Sequence, residues 1–433
     1  MSKRFKRIKA VKAKARSLAI DISPLRSSRD FRLVMGSGIV TMLGSMVTYV
    51  TVPFQIKQLT GSYIAVGLAG AAELVPLIIF GLYGGALADS VDRKIMVVVT
   101  EILAMGLSGI LLLNSLVPES KLWVIYVVAA LFAAVDGLQR PSLEAMTPRI
   151  VPHDQLGAAA ALRSIRWQFG AILGPALGGV LIATTGVPSG YAFDIATYIL
   201  SLLFLVRLSR VPSSDDATAP TWSALTSGLK YAFSRQDLIG TYAIDLAAMF
   251  FAMPNALFPF LADKLGAPWS LGLLYSAGMV GAIIATLTSG WVSRYHHHGR
   301  AVIIAATCWG IAIVIAGATN SLAVVLLGLA AAGGADQISG IFRSTIWNQT
   351  IPDELRGRLA GIELLSYSLG PLGGQTRAGL MASWSGLRAS IVGGGALCVG
   401  AVAVLTTVLP KFRRYDDRTN EFALAARNLR TQS

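Results

Sequence analysis

Charge is what this sequence most lacks. Asp, Glu, Lys and Arg make up 14% of its 433 residues, where a soluble chain carries about 25%. The shortage is what lipid solvation imposes, because a charged side chain in hydrocarbon costs roughly 2.5–3.5 kcal/mol on insertion scales. Cysteine is nearly absent too: Cys308 and Cys398 are the only two, each inside an apolar run. That excludes a disulfide framework, and both are expected as small core residues. There is no Gly-x-x-x-x-Gly-Lys-Ser/Thr phosphate loop and no nucleophile or metal-ligand motif. These absences argue against ATP drive within the chain, against an enzyme, and against a bound cofactor or metal. The run His296-His297-His298 has no carboxylate or Cys near it in sequence and reads as solvated loop.

What is present is apolar length. A spanning helix needs about 20 mainly apolar residues. Such runs occur near 33–55, 63–88, 95–117, 122–146, 155–183, 190–207, 236–262, 268–293, 300–319, 321–347, 355–382 and 387–409. The expected fold is therefore an all-α membrane protein of twelve transmembrane helices. A basic stretch from Lys3 to Arg32 precedes the first run, which is too long for the h-region of a cleaved signal and is expected to stay as a span. The net charge of +14 could suggest nucleic acid. Its placement at span ends and in the first 32 residues instead suits a lipid bilayer, with no nucleic-acid partner.

Lys and Arg concentrate in alternate connections. One side holds Lys3 to Arg32, Arg93, Lys94, Arg149, Arg207, Arg210, Lys230, Arg235, Arg294, Arg300, Arg356, Arg358 and the tail from Lys411. The other holds little beyond Lys57, Lys121, Lys264 and Arg388. The positive-inside rule then places both termini in the cytoplasm, as an even number of spans requires. The longest connection opens with Pro212-Ser213-Ser214-Asp215-Asp216, and Trp222, Leu225, Leu229 and Phe233 follow at helical spacing. A linker with an amphipathic helix on the inner membrane face is expected there. The chain divides into a basic arm (1–32), a six-helix bundle (33–207), this linker (208–235), a second six-helix bundle (236–409) and a tail (410–433).

The halves repeat each other. Pro53-Phe54 recurs as Pro259-Phe260, Gly85 as Gly290, Val151-Pro152 as Ile351-Pro352, and Asp136 as Asp336. Gly174-Pro175 with Gly178-Gly179 recurs as Gly370-Pro371 with Gly373-Gly374. Duplicated bundles with a site between them are the architecture of alternating-access transporters.

The stretch Gly85-Ala86-Leu87-Ala88-Asp89-Ser90-Val91-Asp92-Arg93-Lys94 resembles the signature loop of the major facilitator superfamily. Gly170, Gly174, Pro175, Gly178 and Gly179 in span five resemble the superfamily's antiporter motif, in which small residues allow close packing and Pro bends the helix. Wider stretches, among them Val52-Pro53-Phe54-Gln55-Ile56 and Gly357-Arg358-Leu359-Ala360-Gly361, resemble the siderophore (enterobactin) exporter and drug-efflux branch. The resemblance implies two pseudo-symmetric bundles and a monomer in a bacterial inner membrane. It also implies a latch for one conformational state at Gly85, Asp89, Arg93 and Lys94. The implied activity is export of a siderophore or drug-like molecule in exchange for protons. A facilitator or importer on the same fold, or a non-transporting sensor, remains the alternative.

Ionisable groups inside spans are functional candidates because they are expensive there. Asp136, Arg140 and Glu144 repeat at i, i+4 and i+8, on one face of span four. Span ten has Asp336 and Arg343, also on one face; span seven has Asp245 and span eleven Glu363 and Arg377, while span five adds Arg163 and Arg166. A carboxylate beside a movable Arg can take up and release a proton. This points to Asp136 with Arg140, Asp336 with Arg343, Asp245 and Glu363 as coupling candidates. Tyr49, Gln55, Phe250, Asn255 and Trp347 are the aromatic and polar candidates for substrate contact.

Overall fold

The computed structural model describes residues 21–210, 230–351 and 353–432. Twelve long helices dominate it: α1 (Arg29–Thr60), α2 (Tyr63–Ser90), α3 (Arg93–Leu116), α4 (Leu122–Ile150), α5 (Leu156–Thr185), α6 (Val187–Leu205), α7 (Gln236–Ala252), α8 (Leu271–Leu287), α9 (His298–Ala318), α10 (Leu322–Thr350), α11 (Asp353–Ser385) and α12 (Leu387–Val408). A tail helix, α13 (Glu421–Gln432), follows. Among the described residues eleven segments are long and apolar enough to cross a membrane. α11 is 33 residues long and carries Asp353, Glu354, Arg356, Arg358 and Glu363 in its first turns. The amphipathic segment expected at 222–233 lies mostly outside the described residues.

The termini of these helices follow local chemistry. Ser62 and Asp92 cap α2 and α3, accepting from the backbone N–H of Ala65 (3.3 Å) and Lys94 (2.8 Å). The four glycines of positive φ among the described residues are Gly61, Gly186, Gly266 and Gly386. They close the equivalent turns of the two halves, after α1 and span seven and before α6 and α12, where only Gly enters the left-handed region without strain.

Packing repeats with the sequence. In the first half α1 lies on α5 and α6, α2 on α4, and α3 on α4 and α6. In the second half α7 lies on α11 and α12, α8 on α10, and α9 on α10 and α12. Adding six to each helix number turns one set of pairings into the other. Two broad contacts join the halves, α2 with α11 and α5 with α8, and they exchange under the same operation. Large apolar side chains cover the outside, among them Leu113, Leu116, Leu203, Ile284, Leu327 and Val404. A water-solvated protein would not leave such a surface open; lipid accepts it.

Three expectations change. Span seven is not one helix: α7 ends at Ala252, Pro254 interrupts the backbone ladder, and a 3₁₀ turn (Asn255–Leu257) leads into a short helix, Phe258–Lys264. Span eight ends at Leu287 and continues as a 3₁₀ segment, Ser289–Arg294. Cys398 is buried as expected, but Cys308 is exposed. It shares an outward face of α9 with Ile304, Ile311 and Ile315, one and two turns away at helical spacing.

Candidate functional site

Three ionisable side chains meet inside the second half. Arg343 on α10 donates from Nη1 to Asp245 Oδ2 on α7 at 2.7 Å, and its Nη2 lies 3.6 Å from Asp336 Oδ1. Ser366 on α11 donates to the same Asp245 oxygen at 3.3 Å. The side chains of Arg343 and Asp245 are 5% and 4% exposed, that of Asp336 41%. One guanidinium therefore spans a sealed carboxylate and an open one. The sequence pattern pairs Asp336 with Arg343 two turns apart on one helix. The tighter partner, Asp245, comes from another helix and is invisible to spacing. The side chain of Glu363 lies outside the described residues.

In the first half the stripe on α4 is present, but its pairing differs. Arg140 Nε reaches Glu144 Oε1 at 3.5 Å, with side chains 52% and 57% exposed; no ion pair joins it to Asp136. Both acids lie one turn from Arg140, and the longer Glu reaches it. Asp136 is itself exposed and lies within Coulombic reach of Glu73 on α2. Exposed charges on one face of a spanning helix require water against that face, not lipid. Arg377 is a helix tie: its Nε donates to Phe250 O (3.3 Å) and its Nη1 to Ser390 O (3.4 Å), joining α11 to α7 and α12.

The end of the bundle opposite the chain termini is held shut between the halves. Lys57 at the end of α1 forms an ion pair with Asp263 and donates to Pro259 O at 3.1 Å. One and two turns deeper, Asn255 Nδ2 donates to Tyr49 Oη at 2.9 Å, Tyr275 Oη donates to Asn255 O at 2.9 Å, and the Tyr49 and Tyr275 rings meet edge-on at 5.5 Å. The break at Pro254 is what turns Asn255 toward the other half. Backbone touches backbone on both sides of this closure. A Cβ on Gly272 would stand 2.5 Å from Pro175 O, and one on Gly67 2.9 Å from Gln375 O, so these positions accept hydrogen alone.

Tyr49 and Asn255 thus meet each other across the halves, and Phe250 is half-buried edge-on to Phe251. Gln55 instead lies buried between α1 and α6, accepting from Tyr191 Oη at 2.6 Å. Trp347 is buried in the second half, donating to Thr241 at 2.8 Å and stacked on Tyr242. Of the latch, Arg93 is buried, and Lys94 Nζ donates to Val206 O (3.0 Å) and Leu208 O at the end of α6. The side chain of Asp89 and the surroundings of Gly85 lie outside the described residues. Gly170, Gly174 and Gly178 pack on Met42, Met46 and Val47 of α1, while Pro175 and Gly179 face Gly272 of α8. The motif therefore serves one contact within a half and one between halves.

The His loop is not free in solvent, because the tail folds back onto it. His296 Nδ1 lies 2.9 Å from Asp417 Oδ1 and His297 Nε2 3.7 Å from Asp416 Oδ2. His298 is buried and stacks on Tyr415. The partners are some 120 residues away in sequence, so proximity along the chain could not show them.

The described residues hold no cluster of three or more metal-ligating side chains. A family model described as transmembrane secretion effector matches residues 19–430. The chain is similar to the enterobactin exporter EntS of Shigella boydii, with 29% identity over 416 residues that cover 92% of this chain and 96% of that protein. The enterobactin exporters EntS of Citrobacter koseri and Escherichia coli match with the same identity and coverage. Among solved structures, nucleoside transporter NupG superposes with a TM-score of 0.72 at 12% identity, covering 90% of this chain and 100% of that one. A POT family transporter in complex with 5-aminolevulinic acid superposes at 0.71 and 9% identity, over 89% and 97%. The human organic anion transporter MFSD10 does so at 0.62 and 15%, over 87% and 99%. At these identities the structural likeness bears on fold alone.

Proposed function

The chain belongs to the transmembrane secretion effector family of major facilitator transporters, and from that premise we propose that it exports a small molecule across a bacterial inner membrane by alternating access, in exchange for protons. It is a membrane transporter and not an enzyme. Similarity to enterobactin exporters over most of the chain favours a siderophore or drug-like substrate. Segments 33–207 and 236–409 are the two moving units, with both termini cytoplasmic and the protein acting as a monomer.

The observation that carries the coupling is Arg343 held between Asp245 and Asp336. When Asp336 is ionised, the guanidinium is shared by two carboxylates. When the cavity side delivers a proton to Asp336, Arg343 is left to Asp245 alone. That exchange changes the net charge of the cavity wall by one and moves the guanidinium, which is what antiport requires of its coupling site. The exposed face of α4, with Asp136, Arg140 and Glu144, faces substrate on the other side. The contacts of Lys57, Tyr49, Asn255 and Gly272 close the far end in this state, and they must part for release there.

The test uses protein reconstituted in liposomes with an imposed pH gradient and a pH-sensitive dye, with catecholate siderophores and cationic drugs added in turn. Antiport predicts proton movement triggered by one compound and lost in Asp336→Asn. Substrate flux with no proton movement would remove the antiport reading and favour a facilitator, with the triad acting as a fixed helix tie.

A further inference from the structure

The first half contains a second set of buried acids that the coupling scheme above does not use. Asp194 on α6 is 0% exposed and Glu101 on α3 is 3% exposed. Neither has a Lys, Arg or His within ion-pair distance among the described residues. Thr48 of α1 and Ser108 of α3 both donate to Asp194 Oδ2, at 2.7 and 2.6 Å. Oδ1 receives no hydrogen bond. The Thr197 hydroxyl, on the same helix, donates to the Asp194 backbone carbonyl at 2.7 Å. An ionised carboxylate would sit fully buried with one oxygen unsatisfied and no Lys, Arg or His beside it among the described residues. A proton on Oδ1 removes that buried charge.

We propose that Asp194 is a second proton-binding site, carrying its proton on the unbonded oxygen, Oδ1. A metal cation does not fit the same space. A Cβ on Gly44 would already stand 1.9 Å from Thr197 Oγ1 and 2.5 Å from Asp194 Oδ1, so the α1 backbone fills it. The groups that face Asp194 bring no counter-charge. α1 supplies Thr48 and Gly44, α3 supplies Ser108 with Glu101 farther along, and α6 supplies Tyr191 and Tyr198. Glu101, the other buried acid, lies within Coulombic reach of Asp194. It accepts from Thr41 (3.2 Å) and from Gln139 Nε2 (3.3 Å), and Gln139 sits beside Arg140 on the water-facing helix α4. The site also touches the closed end. Thr48, which donates to Asp194, is next in the chain to Tyr49, which receives Asn255 of the other half.

Infrared titration of the full-length protein in lipid nanodiscs, from mildly acid to mildly alkaline pH, tests this without any transported compound. The proton is the probe. The result is therefore independent of whether the chain proves to be an antiporter. The expected result is that Asp194→Asn removes one component of the protonated-carboxyl C=O band while Asp336→Asn leaves that component in place. Ser108→Ala, which keeps the acid but deletes a donor to Oδ2, should shift the same component and covers the case in which Asp194→Asn does not fold. A C=O band unchanged by both, or loss from the ionised-carboxylate band instead, would overturn the proposal and leave Asp194 as a hydrogen-bonded tie among three helices.

Discussion

Arg343 is where a single substitution should tell most. Its removal leaves the sealed Asp245 without its cation, and breaking one side of a buried pair costs about 3–5 kcal/mol. Arg343→Ala should therefore lower the thermal unfolding temperature of the detergent-solubilised protein sharply. The double change Asp245→Asn with Arg343→Met should recover most of the loss, since no uncompensated charge remains. Asp336→Asn should behave oppositely, leaving stability within about 0.5 kcal/mol of the parent while abolishing proton coupling. Residue identity made these groups candidates from the sequence, because a charge inside a span is rare enough to notice. Pairing was legible along one helix at Asp336 and Arg343, whereas the partner expected for Arg140, Asp136, gives way to Glu144 one turn on. Asp245 with Arg343, His296 with Asp417, and the hydroxyl nest around Asp194 join segments far apart in the chain, and no spacing rule reaches across them.

At the scale of elements, the helices themselves were legible because lipid demands apolar length. The interruption at Pro254 was not, since the apolar run continues through it. That interruption carries the closure, so it sets two expectations. Gly272→Leu should force a side chain into the α5 backbone and hold the far end open. Transport in liposomes should then vanish while each bundle keeps its helicity by circular dichroism. Asp263→Asn removes only a partly exposed ion pair, worth under about 1 kcal/mol, and should slow transport modestly. The tail gives a third expectation, one of pH. Arg418 holds the Asp416 carboxyl well below the usual carboxylate range, through its side chain (2.8 and 3.0 Å) and backbone N–H (3.0 Å). A depressed carboxylate stabilises the fold above its unfolded value near pH 3.9, and that contribution is lost as pH falls through the folded value. The tail turn that Asp416 and Arg418 close should persist at neutral and mildly acid pH and loosen only below about pH 4. Limited proteolysis within 410–432 reads this directly, and Asp416→Asn with Asp417→Asn should make the tail cleavable already at neutral pH.

At the scale of the molecule, the repeat in sequence and the repeat in packing are the same fact. Because α2 with α11 and α5 with α8 exchange under the internal two-fold, any motion that opens one end along the first seam opens it along the second. The proposed cycle then has the halves rock as two bodies with no large change inside either. The closure seen here, Lys57 on Asp263 and Tyr49 on Asn255, should then belong to one stage of a cycle. A tether across it should stop the cycle without unfolding anything. With Cys308 first replaced by Ser, the pair Lys57→Cys and Asp263→Cys, joined by a short thiol cross-linker that reducing agent cleaves, should abolish transport. Reductant should restore it, and either single cysteine should transport with or without the reagent. Transport that survives the tether would mean the far end need not part, and the two-body cycle would have to be abandoned. If the tether arrests transport, the next measurement is how much substrate the arrested protein holds. Alternating access requires that a transporter shut at the far end still bind substrate from the side of its termini.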